Sequence, residues 1–244
     1  MKRTVIITGA SRGIGRSCAM LFAEEGCNVT VNYLNHGRQA LDLCEKLGAA
    51  GCDALPVKAD VSSPEGASTL IDQTLSRFGN IDVLVNNAGI AQQKLFTDIT
   101  DSDWQRMLAV NVTGVFNCCR AVLPTMIHNK SGRIINVSSV WGIHGASCEV
   151  HYSASKAAVI GLTKALAKEV GPSGILVNCV APGVINTEMN AVLSADDMAA
   201  LCEETPLGRI GTPEEAARAI VYLAGANASF ITGQVLGVGG GFAE

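Results

Sequence analysis

Residues 8–15 read Thr8-Gly9-Ala10-Ser11-Arg12-Gly13-Ile14-Gly15 and lie between a short apolar run and a longer helical pattern. Three glycines at this spacing, directly after an N-terminal strand, are typical of a turn that binds dinucleotide phosphates. Gly9 permits the tight turn, Gly13 lets a pyrophosphate approach the backbone, and Gly15 lets helix and strand pack closely. The helix N-terminus offers free N–H groups and a positive dipole end to the phosphates. We expect a dinucleotide to bind Gly9, Ser11, Arg12, Gly13, Ile14 and Gly15, although many ordinary turns are also rich in glycine.

Short β-branched runs alternate with longer helical patterns along the whole chain. The predicted strands are residues 4–8, 28–32, 54–58, 82–86, 133–137, 176–180 and 235–238. The predicted helices are residues 14–25, 37–47, 64–78, 103–128, 152–169 and 213–224, with a short helical piece at 195–203. Strands that are apolar on both faces and alternate with helices predict a parallel sheet covered on two sides. The sequence therefore predicts an α/β class protein, with one doubly wound Rossmann domain over residues 1–244, seven parallel strands and a substrate loop around 183–211.

Composition excludes several classes of protein. The chain has 244 residues, of which 48% are hydrophobic and 16% charged, and its net charge is −4. These values are typical of an ordered globular protein and give no basic footprint for nucleic acid. The first apolar run is too short for a signal peptide or a membrane span, so we expect a cytoplasmic protein without membrane attachment. The nine cysteines and four histidines lack metal-ligand spacing, so no metal site is expected.

Arg12 and the end of the second predicted strand bear on the choice of cofactor. A cation at a helix N-terminus is normally unfavourable, so an anion beside Arg12, the 2′-phosphate of NADP, would explain it. A solvated arginine is the alternative. NAD sites place Asp or Glu at the end of the second strand, whereas residues 31–35 read Val-Asn-Tyr-Leu-Asn. NADP(H) is therefore the predicted cofactor.

Two later strand ends add to the predicted nucleotide site. Asp60 and Val61 follow the third strand, where a carboxylate and a backbone N–H could hold adenine. A helix cap or turn at Asp60 is an equal alternative. The run Asn86-Asn87-Ala88-Gly89 follows the fourth strand, and its small residues would let the backbone pass close to a cofactor. A plain turn is the alternative there.

Tyr152 and Lys156 are the candidate chemical groups. Residues i and i+4 share one face of a helix, so the Lys156 ammonium can stabilise the Tyr152 phenolate and lower the pKa of a phenol from about 10 toward neutrality. Such a group suits general acid catalysis, although an isolated pair of this kind is often a surface pair. Ser138 and Ser139 end the fifth predicted strand, where a hydroxyl can align a substrate oxygen. Asn111 is read as a helix kink with a water linking Lys156 to solvent, or as a tolerated polar residue.

Together these motifs resemble the short-chain dehydrogenase/reductase family over nearly the whole chain. The shared positions are Thr8, Gly9, Gly13, Gly15, Asp60, Asn86, Asn87, Ala88, Gly89, Asn111, Ser139, Tyr152, Lys156, Pro182, Gly183 and Thr187. The resemblance implies a catalytic tetrad of Asn111, Ser139, Tyr152 and Lys156. It also implies that Lys156 bonds the nicotinamide ribose, that Pro182 and Gly183 belong to the cofactor site, and that Ile185 and Thr187 contact the nicotinamide amide. The implied activity is NADPH-dependent reduction of a carbonyl to a hydroxyl.

Within that family the sequence is similar to bacterial 3-oxoacyl-[acyl-carrier-protein] reductases of fatty acid biosynthesis, which implies a homotetramer and a carrier-protein-linked substrate. Of the two basic docking positions of that group, one corresponds to Lys130 and the other falls on Ser173, which has no charge. The tail reads Gly239-Gly240-Gly241 where an Asp usually precedes two glycines.

The segment 141–151 between the catalytic serine and tyrosine resembles a subgroup that reduces a 5-aminopentanone group on elongation factor P. There Glu149 would pair with the substrate amine, although it could be an ordinary loop carboxylate. Another small ketone remains open as substrate. A nucleotide-sensing binding protein is the non-enzymatic alternative, and the intact tetrad argues against it because binding alone needs no Tyr–Lys pair.

Overall fold

The computed structural model describes residues 2–190 and 194–242, and they build one seven-stranded parallel sheet of order β3-β2-β1-β4-β5-β6-β7. The strands are β1 Thr4–Ile7, β2 Asn28–Tyr33, β3 Ala54–Lys58, β4 Val83–Asn86, β5 Gly132–Val137, β6 Ile175–Pro182 and β7 Val235–Val238. The α-helices are α1 Gly13–Glu24, α2 Gly37–Ala49, α3 Pro64–Phe78, α4 Asp101–Leu108, α5 Gly114–Asn129, α6 Trp141–His144, α7 Val150–Val170, α8 Ala195–Glu204 and α9 Pro213–Ala224. The predicted fold class is confirmed.

Helices cover both faces of the sheet, and each face has its own apolar core. Because side chains alternate along a strand, Val5 and Ile7 of β1 point to one face and Ile6 to the other. The first face packs against α1, α2 and α9, with Phe22, Leu43 and Ile220 fully or almost fully buried. The second packs against α3, α5 and α7. Burial on both faces explains why the strands carry apolar residues on both faces.

The order of the strands reverses between β1 and β4, which pair in parallel with Val5 opposite Val83 and Ile7 opposite Val85. In such sheets ligands bind outside the carboxyl ends of the strands, at the point where the order reverses. The glycine turn after β1, the Asn86–Gly89 run after β4 and Ser138-Ser139 after β5 all lie at this edge.

The predicted helix 103–128 lies within the helical stretch Asp101–Asn129, but a π-turn that was not predicted divides it. Thr100 caps α4 with a capping box on Asp103, and residues Ala109–Thr113 then form a π-helical turn before α5 begins at Gly114. A π-turn adds one residue to the helical turn and often marks a functional site. Asn111 lies in the middle of this turn, which agrees with the predicted kink.

The helical stretch Asp101–Asn129 is long and apolar enough, by length and composition alone, to cross a bilayer. In the fold it serves as a core helix, because Val115, Cys118, Val122 and Met126 are buried in the second apolar core. This packing accounts for its hydropathy without a membrane.

Two segments near the predicted substrate loop hold more structure than the sequence suggested. The insert between Ser139 and Tyr152 begins with the short helix α6. The stretch 183–211 contains α8, which confirms the predicted helical piece at 195–203, and before it a 3₁₀ turn at Glu188–Asn190 that was not predicted. Residues 191–193 of that predicted loop lie outside the described residues.

Candidate active site

The glycine turn after β1 is fastened to the end of β4 by a set of short hydrogen bonds. The Thr8 hydroxyl accepts from the backbone N–H groups of Asn87 and Ala88, both at 2.9 Å. The Asn87 side-chain amide donates to the carbonyls of Thr8 at 2.9 Å and Gly9 at 3.1 Å. These four hydrogen bonds join the two strand ends into one unit.

Glycine is required at two positions of this turn because of close backbone approach. Gly9 has φ +62°, and a Cβ there would lie 2.9 Å from the Ala88 Cα. A Cβ on Gly15 would lie 2.5 Å from the Asn87 Nδ2 and 2.6 Å from the Gly9 carbonyl oxygen. These contacts support the predicted roles of both glycines in turn geometry and packing.

The N-terminus of α1 is suited to an anion. Arg12 occupies the N-cap position in extended conformation without a side-chain cap, and the first turn has no acidic residue. Uncapped N–H groups at a helix N-terminus favour phosphate. Arg12 is exposed, and residues 31–35 at the end of β2 carry no acid, with Asn32 buried and bonded to the carbonyls of Val57 and Ala59.

Asp60 adopts the turn geometry that the sequence left open. One oxygen of its carboxylate accepts from the Ser62 N–H at 3.0 Å and the Ser62 hydroxyl at 2.7 Å. Ser63, not Asp60, caps α3. The role of Asp60 and Val61 at adenine stays a prediction.

Tyr152 and Lys156 lie in the first two turns of α7 and are both buried. The Lys156 Nζ lies 5.7 Å from the centre of the Tyr152 ring and donates to the Val137 carbonyl at 3.0 Å. A Cβ on Gly89 would lie 3.3 Å from the Asn111 Oδ1 and 3.4 Å from the Lys156 Nζ. Asn111 and Lys156 therefore border the same space beside Gly89.

Asn111 is held by the neighbouring loop and by α7. Its Oδ1 accepts from the Ile90 N–H at 2.9 Å, and its Nδ2 donates to the Ile90 carbonyl at 2.9 Å and the Ser155 hydroxyl at 3.0 Å. The Ser155 hydroxyl in turn donates to the Tyr152 carbonyl at 2.7 Å. The π-turn thus connects to the helix that carries the tyrosine and lysine.

The structure separates the two serines after β5. The Ser138 hydroxyl donates to the Lys156 carbonyl at 2.8 Å, so it anchors α7 to the sheet. The Ser139 hydroxyl accepts from the Trp141 N–H at 3.2 Å and lies close enough to Tyr152 to lower the pKa of that phenol. This geometry agrees with the choice of Ser139 as the serine that faces the substrate.

The expectation of an acidified phenol is wrong for this structure. Burial raises the pKa of Tyr152 to about 12, and the opposing effect of Ser139 is smaller. Burial also lowers the pKa of Lys156 to about 8. Desolvation disfavours the charged form of each group and is the largest influence on both pKa values.

Most of the predicted nicotinamide-side residues line one cavity of about 760 Å³. The predicted residues in its wall are Ile14, Asn87, Gly89, Ser139, Tyr152, Lys156, Pro182, Gly183, Ile185 and Thr187. The predicted residues outside its wall are Gly9, Ser11, Arg12, Gly13, Gly15, Asp60, Val61, Ala88 and Asn111. Gly13 and Thr187 border a second cavity of about 550 Å³ at the start of α1. The cavities therefore extend from the helix N-terminus to Tyr152.

Sequence reasoning missed several groups near Tyr152. Gly142 lies so close to α7 that a Cβ there would be 2.7 Å from the Ser138 Oγ and from the Lys156 carbonyl carbon. His151 is fully buried and contacts Gln92, whose partner is Asp103. No spacing in the sequence indicates that Gln92 and His151 meet, because Gln92 lies in the loop after β4 and His151 lies in α7, 59 residues further along the chain.

Comparison with known proteins agrees with this geometry. A family model described as enoyl-(acyl carrier protein) reductase, within the short-chain dehydrogenase/reductases, matches residues 9–243. The chain belongs to the short-chain dehydrogenase/reductase family. As a member it is an oxidoreductase of a family that uses NAD(P)H.

Relatives within the short-chain dehydrogenase/reductases are similar over their whole length. The chain is 42% identical over 241 residues to a 3-oxoacyl-[acyl-carrier-protein] reductase of Staphylococcus epidermidis, covering 99% of both chains. It is 43% identical over 246 residues to that of Chlamydia muridarum, covering 100% of this chain and 98% of the relative. The crystal structure of a 3-oxoacyl-[acyl-carrier protein] reductase from Brucella melitensis superposes with a TM-score of 0.92 at 38% identity, covering 99% of this chain and 91% of that one.

Proposed function

We propose that this protein is an NADPH-dependent 3-oxoacyl-[acyl-carrier-protein] reductase, which reduces the 3-oxo group to a 3-hydroxyl in cytoplasmic fatty acid biosynthesis. The observation that carries the proposal is the convergence of Ser139, Tyr152 and Lys156 in one cavity beside the glycine turn. Relatives named for this activity, similar over 98% or more of both chains, support the choice of substrate.

The residues present fit a nicotinamide dinucleotide. The uncapped N-terminus of α1 suits its pyrophosphate, and Gly89 leaves space beside Lys156 that any side chain would fill. Lys156, Ile185 and Thr187 would hold the nicotinamide half, and the chain around Asp60 and Val61 the adenine half. When bound, the reduced cofactor supplies a hydride to the carbonyl carbon. The choice of NADP over NAD depends on Arg12, which lies exposed at the helix end.

The chain's own groups act on the substrate oxygen. The hydroxyls of Ser139 and Tyr152 donate hydrogen bonds to that oxygen and stabilise the charge that develops on it. With a pKa raised to about 12, Tyr152 is protonated at neutral pH and therefore begins as the proton donor. Lys156, whose pKa is lowered to about 8, titrates near neutrality and can return a proton toward Tyr152. Asn111 would hold the water that connects Lys156 to solvent.

Assembly and carrier docking are part of the proposal. Trp104, Phe116 and Ile127 on α4 and α5 and Leu236 on β7 are large apolar side chains that are at least 38% exposed. Such surfaces support a homotetramer with these elements at its interfaces. Lys130 lies exposed at the end of α5, where it could dock an acidic carrier protein.

One observation favours a second substrate, the 5-aminopentanone group on elongation factor P. Glu149 lies in the wall of the cavity with Tyr152, and the one hydrogen bond of its carboxylate among the described residues comes from Gln93 at 3.4 Å. Burial raises the pKa of Glu149, which a substrate ammonium would reverse. A ketone that carries an amine would therefore gain an ion pair in this cavity.

The test is a side-by-side assay of a 3-oxoacyl carrier-protein thioester and the modified elongation factor, with oxidation of NADPH followed by absorbance. We expect the thioester to be reduced with NADPH and much more slowly with NADH. In Glu149→Gln the thioester rate should be retained. Preferred turnover of the elongation factor, lost in Glu149→Gln, would select the second substrate, and no oxidation with either ketone would reject both.

A further inference from the structure

A chain of side-chain hydrogen bonds runs behind the tyrosine. His151 precedes Tyr152 and is 0% exposed. Its Nε2 lies 3.0 Å from the Gln92 Oε1, and the Gln92 Nε2 donates to the Asp103 Oδ1 at 3.2 Å. The other Asp103 oxygen accepts from the Lys94 Nζ at 2.6 Å. These bonds join the loop after β4, the start of α4 and the first turn of α7.

The chemistry of this chain fixes the direction of each hydrogen bond. Hydrogen bonds from Lys94 and Thr100 hold the pKa of Asp103 well below its usual range, so the carboxylate only accepts. Gln92 must therefore direct its NH₂ group to Asp103 and its carbonyl oxygen to His151. His151 must then carry its proton on Nε2. Burial lowers the pKa of His151, which agrees with a neutral imidazole.

The loop after β4 and the segment that leads into α7 pair at two further points. The Lys94 N–H donates to the Cys148 carbonyl at 2.7 Å, and the Gln93 Nε2 donates to the Glu149 Oε1 at 3.4 Å. Consecutive residues 92–94 thus meet residues 148–151 in reverse order. Gln92, Gln93 and Glu149 line the cavity that holds Tyr152, so this pairing forms part of its wall.

The first turn of α7 lacks the usual means of fixation. Glu149 is its N-cap residue and makes no side-chain cap, and the turn has no acidic residue. A first helical turn without a cap is prone to fraying. The Gln93–Glu149 bond reaches only the N-cap residue, whereas the bond from His151 to Gln92 ties a residue within the first turn itself to the loop after β4.

We propose that His151 is a positioning residue, held by Gln92 and Asp103, that fixes the first turn of α7 and so aims the Tyr152 hydroxyl at the substrate oxygen. This inference rests on the proposed function, because it assumes that Tyr152 is the proton donor. A small displacement of a catalytic group lowers the rate of the chemical step far more than it lowers cofactor affinity.

The test compares His151→Phe, which keeps the ring but loses the donor, with His151→Gln, which places an amide N–H near the former Nε2. We expect kcat for acetoacetyl-coenzyme A to fall about tenfold in His151→Phe, with the NADPH Kd changed less than about twofold. His151→Gln should recover most of kcat. A purely structural role would change the melting temperature and leave this kcat-specific loss and its rescue unseen.

Gln92→Met removes the hydrogen-bond partner of His151 and keeps a side chain of similar size. This variant tests the inference if His151→Phe does not fold. It should show the same loss of kcat, and the double variant should lose no more than either single one. Gln105→Met, at an exposed position on α4, is the matched control. Unchanged kcat in a folded His151→Phe or Gln92→Met, or no recovery in His151→Gln, overturns the inference. Tyr152→Phe in the same assay separates the two failures, because full turnover there would overturn the proposed function itself.

Discussion

The nucleotide end of this molecule comprises the glycine turn after β1 and the run Asn86–Gly89, and its catalytic end comprises Tyr152, Lys156 and His151. The two ends are built in different ways. At the nucleotide end, Thr8 and Asn87 satisfy the backbone of the turn, and glycines allow contacts that no side chain would permit. At the catalytic end, Tyr152, Lys156 and His151 are buried with few partners, and burial shifts the pKa of each group toward its neutral form. Backbone shape therefore builds the first site, whereas the second keeps desolvated titratable groups at a cost in stability.

The largest difference between the two ends should appear in Lys156→Met. Turnover should fall by about 10²-fold or more, because the proton donor loses its partner. The same substitution should increase the free energy of unfolding at neutral pH. With a pKa of about 8 in the folded protein and about 10.5 unfolded, Lys156 costs about 3 kcal/mol below pH 8, and this cost disappears as pH rises to 10.5.

Urea unfolding of wild type and Lys156→Met between pH 7 and 10.5 measures that cost. The stability of wild type relative to the variant should rise across this window, because only the wild type contains the buried lysine whose cost disappears. The lost hydrogen bond to Val137 changes the free energy of unfolding of the variant by the same amount at every pH, so it does not alter this pH dependence. A difference in stability that does not depend on pH would contradict the cost assigned to the catalytic end.

At the nucleotide end we expect substitutions to act by steric overlap in the closely packed glycine turn. Gly15→Ala places a Cβ 2.5 Å from the Asn87 Nδ2, so we expect a loss of about 1–3 kcal/mol of stability and weaker NADPH binding. Gly48→Ala in α2 meets nothing within 4 Å and should gain about 0.5–1 kcal/mol. Thermal unfolding and NADPH titration of both variants check the contrast. Equal behaviour of the two would show that close approach at Gly15 is unimportant.

The smallest expected effect concerns the choice of cofactor. Arg12→Ala should raise the KM for NADPH about tenfold and leave the KM for NADH unchanged, because only NADPH carries the 2′-phosphate. Steady-state kinetics with both cofactors measures this. Arg38→Ala, at an exposed position on α2, tests whether any nearby arginine has the same effect. An equal change with both cofactors in Arg12→Ala would remove the role given to this residue.

The sequence predicted the elements best where local signals were strong. The helices at 64–78 and 213–224 have the predicted bounds, because Ser63 and Thr212 cap them and a proline occupies the first helical position. The prediction of a helix at 103–128 missed the π-turn at Asn111, because apolar periodicity cannot reveal the single extra residue of such a turn. Strand β6 runs to Pro182, two residues beyond the predicted end.

The pKa values of the site residues were less predictable from the sequence than the identity of those residues. Position in the chain predicted that a serine after β5 lies near Tyr152 and Lys156, and the family resemblance selected Ser139. The structure puts Ser139, Tyr152 and Lys156 in one cavity. Their pKa values depend on burial, which the spacing of two residues on a helix does not report. The bond between Gln92 and His151 depends on how the loop after β4 packs against the first turn of α7, so only the tertiary structure reveals it.

The most direct test of the account is hydride transfer by Tyr152→Phe in single turnover, with NADPH affinity measured on the same sample. Tyr222→Phe, at an exposed position on α9, is the matched control. We predict that Tyr152→Phe loses about 10²–10⁴-fold in rate while NADPH affinity stays within about twofold. A rate near that of Tyr222→Phe would contradict the assignment of Tyr152 as the proton donor.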